Sequence, residues 1–256
     1  MSVIKACIRA FAEILPNNDR VVDALQAFAL SPSFKAWTKK YRSSSLASFE
    51  KREELWNDII AKHIRSQPVL YLEFGVFDGY SITFFARHLS NPDSRFIGFD
   101  TFTGLPDDWG GLKAGTFDLS GRTPRIDDDR VSFHPGLFQE TLPQYLRGAR
   151  IDGRQLVVHC DADLYSSTLF VLTQLASIID GAIVVFDEFN ALPHEFRALR
   201  DFSLAYRKHY SVIGNVNPRL QRAAIRFAGT TCDLSDAPCA CLQRRPSPLH
   251  ISGAGI

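Results

Sequence analysis

The sequence predicts an α/β fold, a doubly wound and mostly parallel sheet, on three observations. Between residues 69 and 209, apolar runs of strand length alternate with segments of helical period. Before residue 68 only the helical period is present. After residue 209, two extended runs flank Asn217-Pro218-Arg219, the pattern of an antiparallel hairpin at a sheet edge. The expected organisation is a helical N-terminal cap over 1–67, a sheet core over 68–228 and a mostly disordered tail over 229–256.

Each element has its own signal. Ile4, Ile8, Phe11 and Leu15 recur at helical spacing, with Lys5, Arg9 and Glu13 between them, which reads as an amphipathic helix and not a signal peptide. Ser31-Pro32-Ser33 and Ser43–Ser45 are expected breaks. Ala47–Arg65 sets Phe49, Leu55, Trp56, Ile59, Ile60 and Ile64 on one stripe. Val69–Phe74 is nearly continuous apolar sequence, as in a strand buried on both faces. A helix from Ser81 to Leu89 follows, ended by Asn91-Pro92. Strands are then expected at Arg95–Phe99, Val131–His134, Gln155–His159 and Ala182–Phe186, and helices at Glu140–Arg147, Ser167–Ile179 and His194–His209. Thr101–Asp129 is a long loop rich in Gly, Asp and Pro, and Tyr210–Val216 with Gln221–Phe227 form the hairpin.

Composition narrows the function. The 256 residues carry 29 basic and 28 acidic side chains, a net charge of +1, which argues against a nucleic-acid footprint or an anionic-membrane binder. No apolar run approaches the length of a membrane span. Five cysteines, an odd number, fit a reducing compartment, so a cytoplasmic location is expected. Cys232, Cys239, Cys241 and His250 match no standard zinc spacing.

Ligands of open α/β sheets bind beyond the carboxyl ends of the strands, so the chemistry is sought there. The first strand ends in Glu73-Phe-Gly75-Val-Phe-Asp-Gly79, whose glycines permit a sharp turn against a ligand. The dinucleotide pattern G-x-G-x-x-G is absent, because Phe77 stands two residues after Gly75 and would crowd a pyrophosphate. The second strand ends in Asp100, a carboxylate placed to accept from ribose hydroxyls or to cap a turn. Together they favour a nucleoside ligand without a diphosphate. The third cluster is Asp161 and Asp163, with Asp187-Glu188 at the end of the next strand. Converging carboxylates repel unless a cation or proton intervenes, and oxygen-only donors suggest Mg²⁺ first, then Ca²⁺ or Mn²⁺. Asp163 is alternatively an N-cap of the following helix. His159 is expected to pack within or beside the sheet, and nothing selects His134 or His194.

Four ordered motifs resemble the macrocin O-methyltransferase (TylF-like) family: Tyr71–Gly79, Phe99–Pro106, His159–Thr168 and Phe186–Phe189, with Gly136–Pro143 as a further similar segment. The resemblance implies a Rossmann-like, class I S-adenosylmethionine-dependent methyltransferase acting on sugar hydroxyls of natural products. It implies that Glu73, Gly75, Gly79 and Ser81 hold the methionine part of the cofactor. Asp100 would bind the ribose, with Thr101 and Phe102 beside the adenosine. It further implies Mg²⁺ on Asp161, Asp187 and Glu188, and Asp163 as the base. Glu188 departs from the family, which usually has aspartate there. The resulting expectation is metal-assisted O-methylation of a sugar or glycosylated small molecule, with no nucleic-acid or membrane partner and a homo-oligomer left open. Methylation of another vicinal diol or catechol-like hydroxyl, or a cofactor binder without turnover, are the alternatives. An NAD-dependent oxidoreductase is opposed by Phe77.

Overall fold

Strand parity sorts the core into two layers, one on each face of a single sheet. In a computed structural model, residues 5, 13, 19–41, 46–109, 111–149, 152–216 and 220–229 are described. The expected N-terminal helix apart from Lys5 and Glu13, the 43–45 break, the 217–219 turn and the tail from residue 230 lie outside them.

The elements are α1 (Asp19–Tyr41), β1 (Ser48–Phe49), α2 (Arg52–Ile59) continuing into a π-helical turn (Ile60–Ile64), β2 (Val69–Phe74), α3 (Tyr80–His88), β3 (Arg95–Asp100) and β4 (Val131–Pro135). They continue as α4 (Phe138–Gly148), β5 (Gln155–Cys160), α5 (Tyr165–Gln174), β6 (Ile183–Phe186), a second π-helical turn (Leu192–Phe196), α6 (Arg197–Ala205), β7 (Tyr210–Val216) and β8 (Arg222–Phe227). The sheet order is β1-β7-β8-β6-β5-β2-β3-β4. Every pairing is parallel except the two made by β8, which runs antiparallel to both β6 and β7. The expected hairpin is therefore present, with β8 inserted between β6 and β7 and the short β1 outside them.

Successive strand residues face opposite ways. Leu72, Phe74, Val158, Cys160, Val184 and Phe186 face a layer with Leu142 of α4, Val171 and Leu172 of α5, and Leu199 and Phe202 of α6. Tyr71, Val157, Ile183 and Val185 face the other layer, with Leu55, Trp56 and Ile59 of α2 and Ile82 and Phe85 of α3. Residues 46–64, read from sequence as cap, thus belong to a core layer and contribute a strand. The aromatic rings of α1, Phe34 and Trp37, pack on Phe189 and Phe196 beyond the end of β6.

Pro32 does not break α1 as its sequence suggested, since the helix runs through it. Pro32 cannot donate to the carbonyl of Phe28, a residue 80% exposed to water that can satisfy that oxygen. Ser31 Oγ donates to Ala27 O at 2.7 Å, and the packed rings beyond the proline fix the remaining turns. Among the described residues no helix is long and apolar enough to cross a membrane.

One glycine is demanded by backbone contact. Gly75 has φ +88°, and a Cβ there would lie 1.9 Å from the carbonyl oxygen of Asp161 on the adjoining strand-end loop. Gly181, at φ +77°, has open space around the same position. Gly181→Ala is expected to cost only the left-handed penalty, about 1–2 kcal/mol. Gly75→Ala is expected to cost more, about 3 kcal/mol or above, because backbone must move. Denaturant unfolding of the two variants checks the order; equal losses would contradict the close approach.

Candidate active site

A cavity of about 410 Å³ opens at the carboxyl ends of β2, β3, β5 and β6. Its floor and flanks are Gly75 and Phe77 after β2, Asp100 and Thr101 at the end of β3, Asp161 to Asp163 after β5, and Glu188 after β6. Ser166 and Ser167 come from the start of α5, and Leu137, Phe138 and Gln139 from the start of α4. The loop after β3 closes the outer side with Leu105, Trp109 and Phe117. Asp100, Asp107, Asp161, Asp163 and Glu188 are all on the wall, while no lysine, arginine or histidine of the described residues is. Such a lining favours a cationic ligand and opposes a phosphate.

Asp100 builds the glycine turn as well as facing the cavity. Its Oδ2 accepts from the backbone N–H groups of Val76 at 2.7 Å and Phe77 at 2.9 Å, and Oδ1 accepts from Phe102 N–H at 2.8 Å. These bonds pin a segment in which Gly75, Phe77 and Gly79 all have positive φ. Each carboxylate oxygen has two lone pairs, so Oδ1 keeps capacity for a ligand hydroxyl.

The acids differ in their surroundings. Asp163 stands at φ +56°, and the N-cap of α5 is Leu164, so Asp163 does not cap the helix. Burial, then the charges of Glu188, Asp187 and Asp100, push its carboxyl up to about 7. Asp161 is raised well above its ordinary value, by burial first and then by Asp187 and Asp163. Glu188 is raised by burial and Asp187, and its backbone N–H donates to Glu195 Oε2 at 2.9 Å.

Asp187 behaves oppositely. Arg222, the first residue of β8, donates from Nε to Oδ1 at 2.7 Å and from Nη2 to Oδ2 at 2.8 Å. His159 Nε2 lies 3.8 Å from Oδ1, and Arg52 Nη1 lies 4.0 Å from Oδ2. Burial opposes ionisation, yet His159 and Arg222 hold the Asp187 carboxyl far below the usual carboxylate range.

Several expected site residues are elsewhere. Glu73 is fully buried behind the turn, off the cavity wall: Tyr71 donates to its Oε2 at 2.5 Å and Ser81 Oγ to its Oε1 at 2.7 Å. Tyr71 has one hydroxyl proton, so its oxygen accepts from Nδ1 of His159 at 2.7 Å. Glu73 and Ser81 are therefore joined to each other behind the turn, off the cavity wall. Gly79 is the left-handed N-cap of α3 and faces Pro124 and Ile126, so it too is off the wall. Phe102 is 1% exposed and packs on Phe133 in the core, because its positive φ turns the ring inward. Asp187 is likewise off the wall. A Mg²⁺ ion on Asp161, Asp187 and Glu188 does not fit this arrangement, since Asp187 is off the cavity wall and its charge is already neutralised by the paired guanidinium of Arg222. Among the described residues no group of three His, Cys, Asp or Glu is close enough to share a metal ion.

Residues 120–213 match the family model of macrocin-O-methyltransferases (TylF), a segment running from before β4 through most of β7. The segment contains Asp161, Asp163, Asp187 and Glu188, and it bears out the resemblance read from the motifs. No curated protein sequence matches the chain. Among solved structures it is similar to the O-methyltransferase NovP (23% identity, 68% of this chain and 76% of that chain, TM-score 0.48). It is also similar to CmcI in a Mg–SAM form (16% identity, 70% and 73%, TM-score 0.47). A third is an O-methyltransferase of Bacillus cereus with bound SAH (14% identity, 87% and 96%, TM-score 0.44).

Two groups were not found by reading TylF motifs along the sequence. Arg222 lies in a strand whose place beside β6 depends on sheet order. Glu195, in the second π-helical turn, is fully buried with Oε1 unpartnered. Burial first, then Asp161 and Asp187, raise its carboxyl well above the ordinary value. A raised folded value gives stability that is complete below the unfolded pKa and lost as pH rises through the folded one. Wild-type unfolding free energy is therefore expected to fall as pH rises from about 4 toward neutrality. Glu195→Gln, which cannot ionise, should fall less steeply and be the more stable at pH 8 in denaturant titrations. Parallel pH profiles would contradict a protonated Glu195.

Proposed function

We propose that this chain transfers the methyl group of S-adenosylmethionine to a hydroxyl of a small molecule, a sugar or glycosylated natural product, with Asp163 as the general base. The observation that carries the reading is the wall itself, with five carboxylates and no basic side chain at the strand ends. A sulfonium cofactor is a cation, and the lining suits it, whereas a dinucleotide would bring a diphosphate against Asp100, Asp161 and Asp163. When bound, S-adenosylmethionine supplies an electrophilic methyl group on a sulfonium leaving group.

The residues present fit that group. Gly75 is on the cavity wall, and its missing Cβ lets the Asp161 backbone close against the turn. Asp100 Oδ1 retains a lone pair for a ribose hydroxyl, and Thr101, Leu137 and Phe138 flank it on the cavity wall. Leu105, Trp109 and Phe117 make the outer loop's side of the cavity apolar, and the two rings offer faces to the apolar side of a sugar. The same rings suit a flat acceptor, which keeps a catechol-like diol as the second reading. Asp163 is on the wall, left free of the cap bond, and poised near neutrality to accept a hydroxyl proton. Its deprotonation is the event that switches the chain on. The expected Mg²⁺ assistance is not part of this sequence of events, because Asp187 is bonded to Arg222. The acid wall also supports a small-molecule acceptor over a nucleic acid, whose phosphates it would repel.

Calorimetry is expected to show S-adenosylhomocysteine binding and no comparable NAD binding. Asp163→Asn should keep that affinity within a few-fold while lowering turnover of a responsive acceptor by roughly 10²–10⁴-fold. Wild-type turnover should rise with pH through about 7, where Asp163 loses its proton. An active Asp163→Asn enzyme would remove Asp163 from the role of base, and NAD binding would overturn the cofactor assignment.

A further inference from the structure

We propose that Arg222 is a built-in counter-cation that stands where the acid set would otherwise take a divalent ion, so that this chain binds no Mg²⁺ at Asp187. The geometry is a two-point fork, Nε to Oδ1 at 2.7 Å and Nη2 to Oδ2 at 2.8 Å, with the two side chains 15% and 6% exposed. A planar guanidinium matches both oxygens of a carboxylate at once, which a point cation cannot do without displacing it.

The sheet makes this pairing a fixed feature. β8 runs antiparallel to β6, with Ala223 opposite Phe186, so Arg222 comes level with the residue that follows β6. Ala223, Ala224 and Ile225 are fully buried and leave β8 no room to slip. A second cation, Arg52, lies 4.0 Å from the same carboxylate, its guanidinium stacked over Tyr80 at 4.7 Å and Trp56 at 5.2 Å. A divalent ion approaching Asp187 would meet two resident positive charges. It would be left with Asp161 and Glu188 among the acids expected to hold it, and no third His, Cys, Asp or Glu of the described residues is near enough to join them. Arg222 lies outside the segment that matches the family, so the match does not speak to this position.

Arg222 then does for Asp187 what the ion would have done: it neutralises one member of a crowded acid set. It also orients Asp187 against His159, whose other nitrogen is bonded to Tyr71. Arg222 is a positioning residue and does not line the cavity.

Mn²⁺ titration of the full chain, followed by electron paramagnetic resonance, tests the inference without any turnover. The wild type is expected to show no saturable site tighter than about 1 mM. Arg222→Met, which keeps the stem and removes the charge, should gain one Mn²⁺ per chain at least tenfold tighter. Adding Asp187→Asn to that variant should abolish the gain. Arg222→Lys should stay close to wild type. One tight Mn²⁺ in the wild type, lost in Asp187→Asn, would overturn the inference, as would no gain in a folded Arg222→Met protein. Should Arg222→Met fail to fold, the wild-type and Asp187→Asn titrations decide alone. S-adenosylhomocysteine binding in the same samples reads the cofactor assignment separately, so the two failures are distinguishable.

Discussion

Everything at the working end of this sheet is constrained by a crowd of carboxylates that water does not reach freely. Glu73, Asp161, Asp163, Asp187, Glu188 and Glu195 all lie within one electrostatic neighbourhood, and Glu73 and Glu195 are fully buried. Six ionised acids there would repel strongly in a medium less polar than water. The molecule resolves the conflict by division. Asp187 keeps its charge against Arg222, Glu73 is held by two hydroxyl donors, and Asp161, Asp163 and Glu195 are pushed toward their protonated forms. The negative potential that remains faces the cavity, where a cationic ligand relieves it.

The fold delivers this crowd because parallel strands end together. β2, β3, β5 and β6 all point their carboxyl ends at one rim, and the segments after them carry Gly75, Asp100, Asp161 and Asp187. The turn after β2 depends on Asp100 of the neighbouring strand, so one residue ties the shape of the turn to the cavity wall. The aromatic ends of α1 close over Phe189 and Phe196 beside the same rim. His194, in the middle of the second π-helical turn, meets Trp109 of the outer loop and lies 3.9 Å from Asp23 of α1. The outer wall of the cavity is thus joined to the cap through side-chain contact.

The sequence made the alternation of strands and helices legible, and with it the rim, because short apolar runs and helical periods differ in spacing alone. Asp100, Asp161 and Asp163 could be found there since each follows directly on a strand. Strand parity takes Glu73 off the cavity wall: it shares a face with Tyr71, whose hydroxyl holds it inside the layer of Trp56 and Phe85. Phe102 is in the core at a positive φ, which sequence does not report for a phenylalanine. Arg222 was invisible for a different reason. It lies 35 positions from Asp187, and only the insertion of β8 between β6 and β7 brings them together. Side chains that act through long-range pairing are what one-dimensional motifs omit, and the Asp187–Arg222 pair is one of them.

The central claim is that the cavity is an electrostatic receptor for a sulfonium cation. S-adenosylmethionine and S-adenosylhomocysteine differ by one methyl group and one positive charge, so their relative affinity isolates that charge. Calorimetric titration of both ligands at neutral pH and low salt is the direct measurement. Binding of S-adenosylmethionine tighter by on the order of tenfold is expected from a unit charge among carboxylates. The preference should shrink as pH falls and Asp163 gains its proton. Equal affinities at every pH, or tighter binding of the neutral thioether, would contradict it.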